Sequence, residues 1–319
     1  MNQLVWLIAG MALHSVVLAG QAVLSGDTHP LTDRLWDVAN ERYVDKDALA
    51  KALTGADYVL LGEKHDNPLH HQHQTWVINQ LIGAGRRLGV AFEMIDSGQY
   101  ERMAGIRFSS ADALFDAVSW EQSGWPRREL YRALFDAVIR NESPMYSANL
   151  PRQQLRAIMM NEQAPAPEVA SLLNDAPLSD GQRAALREDI DESHCNLLPM
   201  RHIEGAMVGQ RVRDAVMSLS LMERSDSIDV MVLIAGKGHT RNDRGVPSLI
   251  KHRVPDADIV SVAWHEVDDD LTTPQRYAEY WRAGQLPFDY VWFTQRLERP
   301  DPCEQLKHFK MPEAQNDAA

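Results

Sequence analysis

The sequence predicts an α/β protein with a mostly parallel, doubly wound sheet, helices on both faces and a helical insertion. Short apolar runs alternate with helical segments along the 319 residues, as in sheets built from strand–helix–strand units. The runs are continuously apolar, which indicates strands buried on both faces. Residues 152–198 contain no convincing strand, so we expect a helical insertion at about 152–222.

Six segments match short buried strands, because each is apolar and is followed by glycine or polar residues. They are residues 56–61, 88–92, 145–148, 229–235, 259–263 and 290–293. Further helical segments are expected between the second and third of these strands.

Helix signals lie between these runs. Residues 31–39 and 46–54 match short helices. Asn67 followed by Pro68 is a strong start signal, since Asn caps a helix and Pro fits its first turn. We therefore expect helices at 68–82 and, from the apolar spacing, at 199–222.

The overall composition is that of a globular protein. The chain is 45% hydrophobic and 24% charged, which excludes a disordered protein. Its formal net charge of −13 disfavours a nucleic-acid partner, because phosphate binding needs a basic face. Cys195 and Cys303 could form one bridge; the polar surroundings of Cys303 and the helical context of Cys195 favour two free thiols instead.

The N-terminus predicts export. Residues 4–24 are almost uninterruptedly apolar, with small residues near a possible cleavage point at Ala19, Gly20 and Ala22. No Lys or Arg precedes this stretch, and its length also fits an uncleaved membrane anchor. We expect residues 1–26 to be a signal peptide or anchor, residues 27–299 the α/β domain, and residues 300–319 a flexible tail.

Ionisable side chains follow several predicted strands. Glu63 and His65 follow the first, Glu93 the second and His239 the fourth. Parallel strands end at a common edge, so we expect these four groups to converge there. They are competent metal ligands, and a carboxylate beside an imidazole is also an acid/base pair. The plainer alternative is that each is a solvated loop residue.

Other histidines are weaker candidates for site residues. His70, His71 and His73 lie in the first turns of the helix after Asn67 and could extend the cluster or be solvated. His194 and His202 lie in or near the long helix, where a histidine is more often structural than a ligand.

Several blocks of the chain resemble the ChaN-like haem-binding uptake family. They are Leu61-Gly62-Glu63-Lys64-His65-Asp66-Asn67-Pro68, Phe92-Glu93-Met94, Ala148-Asn149-Leu150-Pro151-Arg152, His194-Cys195, residues 210–217, Ile234-Ala235-Gly236-Lys237-Gly238-His239, Gly245-Val246-Pro247 and residues 289–294. Their number and order over about residues 31–297 carry the resemblance.

The resemblance implies a bacterial cell-envelope protein that binds haem, with a homodimer holding two cofacial haems and a tyrosine as axial ligand. Tyr131 is the first candidate ligand and Tyr146 the second, with His194 and His202 as further candidates. Envelope or outer-membrane haem-uptake components are the implied partners.

Two consequences of the resemblance stay open. Lipoproteins of the family place Cys after a Leu-Ala-Gly-like tripeptide, whereas Leu18-Ala19-Gly20 is followed here by Gln21. This difference puts lipid anchoring in doubt. It favours a periplasmic or membrane-associated form. The related erythromycin esterase and Tiki/TraB superfamily suggests a metal-dependent hydrolase as the alternative, with Glu63, His65, Glu93 and His239 as metal-binding or catalytic residues. A purely structural envelope protein is a third hypothesis.

Overall fold

The structure is a computed structural model, and it describes residues 23–301 and 303–304. Its strands within that part are β1 (Leu24–Ser25), β2 (Leu35–Asp37), β3 (Arg42–Val44), β4 (Tyr58–Glu63), β5 (Leu88–Asp96), β6 (Met145–Asn149), β7 (Val230–Gly236), β8 (Ile259–Glu266), β9 (Tyr290–Thr294) and β10 (Arg296–Leu297). Its helices there are α1 (Lys46–Gly55), α2 (Pro68–Gly83), α3 (Ser97–Met103), α4 (Ala111–Ala117), α5 (Trp120–Ser123), α6 (Arg132–Arg140), α7 (Arg152–Met159), α8 (Pro167–Asp175), α9 (Asp180–Ser193), α10 (Met200–Met222), α11 (Val246–Arg253) and α12 (Tyr277–Tyr280).

Eight of these strands form one sheet, in the order β3-β2-β9-β8-β4-β7-β5-β6. Neighbours from β9 to β6 pair in parallel, whereas β2 is antiparallel to both β9 and β3. The short strands β1 and β10 form a separate antiparallel pair. The predicted fold class is confirmed.

The two faces of the sheet have separate cores. Val59 and Leu61 of β4 pack with α1, α2 and α6 on one face, whereas Tyr58 and Leu60 pack with α10 and α11 on the other. Successive side chains of a strand point to opposite faces, which explains why a strand covered on both faces is continuously apolar.

The two central strands send their connections to opposite faces. β4 continues into α2 on the first face, and β7 continues into α11 on the second. The two strands are direct neighbours, with Glu63 opposite Gly236 at their carboxyl ends. This is a topological switch point, the place where open α/β sheets bind ligands.

The helix predicted at residues 31–39 is wrong. Trp36 in β2 pairs with Tyr43 on one side and Val291 on the other. Asp33 has a φ of 60°, which breaks a right-handed helix before it can form. The pairing partner in β9 is about 250 residues away along the chain, so local spacing could not reveal it.

The segment predicted as an insertion contains α7, α8, α9 and α10. The middle of α10 packs on α7 and α8 through Val212 and Ala215, which contact Ile158 and Leu172. Residues 1–22 of the expected leader, and residues 302 and 305–319 of the expected tail, lie outside the described residues. Over residues 23–301 and 303–304, every helix is too short or too polar to cross a bilayer.

The expectation of two free thiols is wrong. Cys195 and Cys303 form a disulfide with a Cα–Cα distance of 5.6 Å across a sequence separation of 108 residues. It joins the turn between α9 and α10 to the C-terminal segment. The tertiary fold brings the two positions together, and neither local context carried that information.

Candidate functional site

Glu63 lies at the carboxyl end of β4 and is 2% exposed. Its Oε1 accepts hydrogen bonds from the Tyr131 hydroxyl and from His65 Nδ1, each at 2.7 Å. Its Oε2 lies 3.0 Å from His71 Nδ1. Burial raises the pKa of Glu63, but His71 and His65 outweigh burial and hold the pKa well below its usual range.

His65 lies between two carboxylates. Its Nδ1 binds Glu63, and its Nε2 is 3.6 Å from Glu93 Oε2. Burial lowers the pKa of His65, but Glu93 and Glu63 outweigh burial and raise it to about 9. The side chain is 31% exposed and its ring packs edge-on against Trp125. His65 is therefore an imidazolium at neutral pH with one edge open to solvent.

Glu93 lies between His65 and His239 and contacts both sides of the site. Its Oε2 accepts from the backbone N–H of Gly236 at 2.7 Å, and its Oε1 accepts from Arg213 Nη1 at 3.2 Å and lies 3.5 Å from His239 Nε2. Burial raises the pKa of Glu93, but His239 and His65 outweigh it and lower the pKa. A side chain at Gly236 would place its Cβ 3.0 Å from His65 Nε2, so any larger residue there would push the His65 ring away from Glu93.

His239 follows β7 and is held from behind by α10. Its Nδ1 lies 2.6 Å from Asp214 Oδ1 and 2.9 Å from the Gln210 amide. Burial lowers the pKa of His239, but Glu93 outweighs burial and the pKa is raised. Asp214 is 2% exposed, so this carboxylate and imidazole form a buried ion pair.

The structure thus brings Glu63, His65, Glu93 and His239 together. With Asp214 and Arg213 they form what we call the carboxylate–histidine cluster. Each carboxylate of the cluster lies beside an imidazole or a guanidinium. This pairing offsets the cost of burying charged groups.

The predicted metal set is not formed. No group of three or more His, Cys, Asp or Glu in residues 23–301 and 303–304 is placed to hold a metal ion. The Glu63 and Glu93 oxygens already face protonated imidazole, guanidinium or N–H groups, which compete with a cation for the same lone pairs.

Sequence reasoning named His71 only as a possible extension of this site and missed Gln210, Arg213 and Asp214 as members of it. A signal for the last three was present, because residues 210, 213 and 214 are spaced to share one face of α10. His71 was considered as an extension, and its Nε2 also donates to the His65 carbonyl at 2.9 Å.

The four predicted haem ligands lie on different elements of the structure. Tyr131 is fully buried, and its hydroxyl belongs to the Glu63 site. Tyr146 is half-buried on edge strand β6. His194 ends α9, where its Nδ1 donates to the Ile190 carbonyl at 2.7 Å. His202 lies on α10, and its buried Nδ1 has no partner among the described residues.

The other histidines of α2 are structural. His70 Nδ1 accepts from the Lys64 backbone N–H at 2.9 Å, and its Nε2 lies 3.0 Å from Thr294 Oγ1. Burial lowers the pKa of His70 well below its usual value. The His73 ring stacks on Trp292 at 4.0 Å, and burial lowers its pKa to about 4. Both rings are neutral members of the core.

A second group of charges lies at the same edge of the sheet. Glu266, at the end of β8, accepts from Asn67 Nδ2 at 2.7 Å and from Lys64 Nζ at 3.1 Å. Arg299 binds Glu266 through both terminal nitrogens at 2.8 Å and binds both oxygens of Asp66. This group fastens the C-terminal segment to the loop that carries His65.

Lys237 directly follows β7 in the chain. Its backbone N–H donates to the Glu63 carbonyl at 3.0 Å. Burial and the neighbouring Lys64 lower the pKa of its ammonium to about 7.

A cavity of about 550 Å³ lies apart from both charge groups. It is lined by Asn242, Asp243 and residues 283–289 together with Val38 and Ala39.

These positions can be compared with known proteins. The profile of the family described as "Haem-binding uptake, Tiki superfamily, ChaN" matches residues 49–250, more than half of the chain. The chain belongs to this family. The matched range includes every member of the carboxylate–histidine cluster, so the resemblance noted from the sequence blocks is confirmed. Curated proteins give no match.

One solved structure shares the fold, and two others are less similar. The structure titled "Cofacial heme binding to ChaN of Campylobacter jejuni" has a TM-score of 0.65 and 22% identity, covering 82% of this chain and 96% of that chain. A mutant of the erythromycin esterase EreC has a TM-score of 0.44 and 12% identity, over 81% of this chain and 95% of that one. The type III effector HopBA1 has a TM-score of 0.42 and 10% identity, over 86% and 96%.

Proposed function

We propose that this protein binds haem in a bacterial cell envelope and takes part in haem or iron uptake. The observation that carries the proposal is membership of the haem-binding uptake family across residues 49–250. That range also contains His194 and His202, two of the candidate ligands.

Two features support an envelope location. The apolar stretch at residues 4–24 has the composition of an export signal. The Cys195–Cys303 disulfide suits an oxidising compartment such as the periplasm, because disulfides rarely persist in a reducing cytosol.

His194 is the best-prepared axial ligand. Its Nδ1–H donates to the Ile190 carbonyl, which leaves the lone pair on Nε2. Metal-binding histidines are commonly oriented in this way by a backbone carbonyl. Leu197 and Met200, in the turn that follows, are 48% and 55% exposed and provide apolar surface for a porphyrin. Bound haem supplies an iron whose properties depend on its axial ligand.

Tyr131 is less suited to this role than the sequence suggested. Its hydroxyl is buried and donates to Glu63. Burial and the Glu63 carboxylate raise the pKa of Tyr131 well above its usual value, which opposes a tyrosinate. Coordination by Tyr131 would require the ring to leave Glu63, so we place His194 first and His202 second.

The related Campylobacter jejuni protein is described as binding haem cofacially. We propose that this chain does the same as a homodimer, with each His194 turn facing its partner copy. Envelope or outer-membrane uptake components would then supply or receive the haem.

The test is a haemin titration followed by the Soret band and by light scattering. Wild type should give a shifted Soret band at micromolar haemin and double its mass on binding. His194→Ala should bind at least tenfold more weakly, and His202→Ala should show a smaller loss. His252→Ala, an exposed histidine on α11, is the matched control. Absence of a Soret shift in wild type would reject the proposal.

A second candidate is hydrolysis, favoured by the paired carboxylates and imidazoles at the switch point between β4 and β7. The partly exposed His65, protonated at neutral pH, could donate a proton to a leaving group. The test is ester and peptide turnover by wild type and His65→Gln. Equal, background-level rates in both proteins would reject hydrolysis and leave the haem proposal untouched.

A further inference from the structure

Lys237 is a charged residue that neither proposed function uses. It follows β7 at the switch point, and its stem packs over Gly62, where an added Cβ would lie 3.0 Å from Lys237 Cβ. Within residues 23–301 and 303–304 its ammonium has no carboxylate or hydrogen-bond partner. Its Nζ lies over the face of the Trp281 ring, 5.7 Å from the ring centroid.

The carboxylates that act on Lys237 are bound by other cations. The neighbouring charged groups are Lys64, Glu266, Arg299 and Asp66. Lys64 and Arg299 bind Glu266, and Arg299 also binds Asp66. Neither carboxylate pairs with Lys237, so the side-chain nitrogen of Lys237 lacks an acceptor in the part of the chain that the structure describes.

An aromatic surface adjoins this charge. Trp281 is 6% exposed and its Nε1–H is buried with no partner among the described residues. Tyr280 packs edge-on against Trp281 at 5.4 Å and is 58% exposed. A buried indole N–H without an acceptor is costly, and it is a second donor close to the Lys237 ammonium.

We propose that Lys237, Trp281 and Tyr280 form a binding site for a monoanionic carboxylate that carries an aromatic or apolar body. The carboxylate would accept from the Lys237 ammonium and the Trp281 Nε1–H, and the body would lie on Tyr280. The ligand would supply the acceptor that the Lys237 nitrogen and the Trp281 Nε1–H both lack, and a hydrogen bond to an ionised carboxylate is stronger than one between neutral groups.

Two sources share this chemistry: a free aromatic carboxylate, or a propionate of haem. The inference about Lys237 holds for either source and stands without the His194 assignment. A propionate source would rest on the proposed haem function. The experiment therefore needs one arm for each source.

The first arm compares 2-naphthoate with its neutral amide, 2-naphthamide, by calorimetry. Wild type should bind the carboxylate at least tenfold more tightly, as expected for a charge-assisted hydrogen bond. Lys237→Met should remove that preference, and Lys237→Arg should keep most of it. Lys251→Met, which removes an exposed lysine on α11, should behave as wild type.

The second arm compares haemin with haemin dimethyl ester. A Lys237→Met effect on haemin but not on the ester identifies a propionate as the occupant, whereas an effect on naphthoate alone identifies a free carboxylate. Equal binding of naphthoate and naphthamide to wild type, with no haemin effect, would overturn the inference. That comparison requires no variant to fold, and a failure of haem binding alone would leave the naphthoate result standing.

Discussion

At the scale of single residues, the carboxylate–histidine cluster depends on which side chains carry the protons that are shared with Glu63 and Glu93. His65 donates to Glu63, and Tyr131 donates to the same oxygen, Oε1. Glu93 faces His65, His239 and Arg213. Each ionised group depends on its neighbour, because an unpaired charge in this place would be expensive.

The first prediction concerns the charge of His65. Replacing Glu63 with Gln removes a carboxylate that favours the imidazolium, so the pKa of His65 should fall from about 9 toward 6.5. Histidine NMR titration measures this change, with Asp66→Asn as a nearby control that leaves both contacts of His65 in place. A pKa of 6.5 in wild type would contradict the ion-pair arrangement.

The second prediction concerns the Tyr131 hydroxyl. Tyr131→Phe removes a buried hydrogen bond to a carboxylate and should lower the free energy of unfolding by about 1.5–3 kcal/mol. Urea denaturation measures it, and Tyr146→Phe is the control, since the Tyr146 ring is only half-buried on an edge strand. Equal decreases in the free energy of unfolding in the two variants would show that the hydrogen bond from Tyr131 to Glu63 adds no stability beyond that of the Tyr146 hydroxyl.

Which residues belong to the cluster was only partly predictable. Glu63 ends β4, Glu93 lies in the last part of β5, and His65 and His239 follow strands. Parallel strands end at one edge, so the convergence of these four groups follows from the fold class. Tyr131 and Asp214 reach the cluster from helices. Their approach depends on how α6 and α10 pack, which sequence spacing does not specify.

At the scale of elements, α2 shows where local signals succeed. Asn67 caps the helix by accepting from the Leu69 N–H, and Pro68 occupies its first turn. The sequence predicted this start because both effects act within three residues. β2 shows the opposite case, since its pairing with β9 overrides the local preference of residues 31–39.

The third prediction concerns the Cys195–Cys303 bond. Reduction, or Cys303→Ser, should destabilise the protein by about 2–4 kcal/mol, because the bond closes a long loop in the unfolded chain. Urea denaturation with and without reductant measures this loss. The Cys195→Ser/Cys303→Ser double variant should not respond to reductant. Identical unfolding of oxidised and reduced wild type would contradict the assignment.

At the scale of the whole molecule, the ion pairs at the carboxyl edge of the sheet set a pH window for stability. The pKa values of Glu63, Glu93 and Glu266 are lowered in the folded state, so their contribution is present above about pH 4.5 and is lost as the pH falls further. The pKa of His65 is raised, so its contribution is complete below about pH 6.5 and is lost as the pH rises toward 9.

The fourth prediction is that the contribution of His65 to stability falls as the pH rises from about 6.5 toward 9. The fall should be on the order of 1–3 kcal/mol and should be smaller in Glu63→Gln, which lacks one partner of His65. The lowered pKa of Lys237, about 7, acts in the opposite direction over this range, so the measured quantity is the difference between the two proteins. Thermal unfolding across pH 3–10 measures both profiles. Identical profiles of wild type and Glu63→Gln from pH 6.5 to 9 would contradict the raised pKa of His65.

The sequence by itself determined the α/β class, the strands of the parallel sheet and the edge at which acidic and imidazole groups gather. These features follow from side-chain periodicity and from the common direction of parallel strands. Only the tertiary structure decided which groups pair, that Cys195 meets Cys303, that Tyr131 is buried against Glu63 and that Lys237 has no carboxylate partner among the described residues. Those outcomes depend on contacts between segments far apart in the chain, whose distances no local pattern encodes.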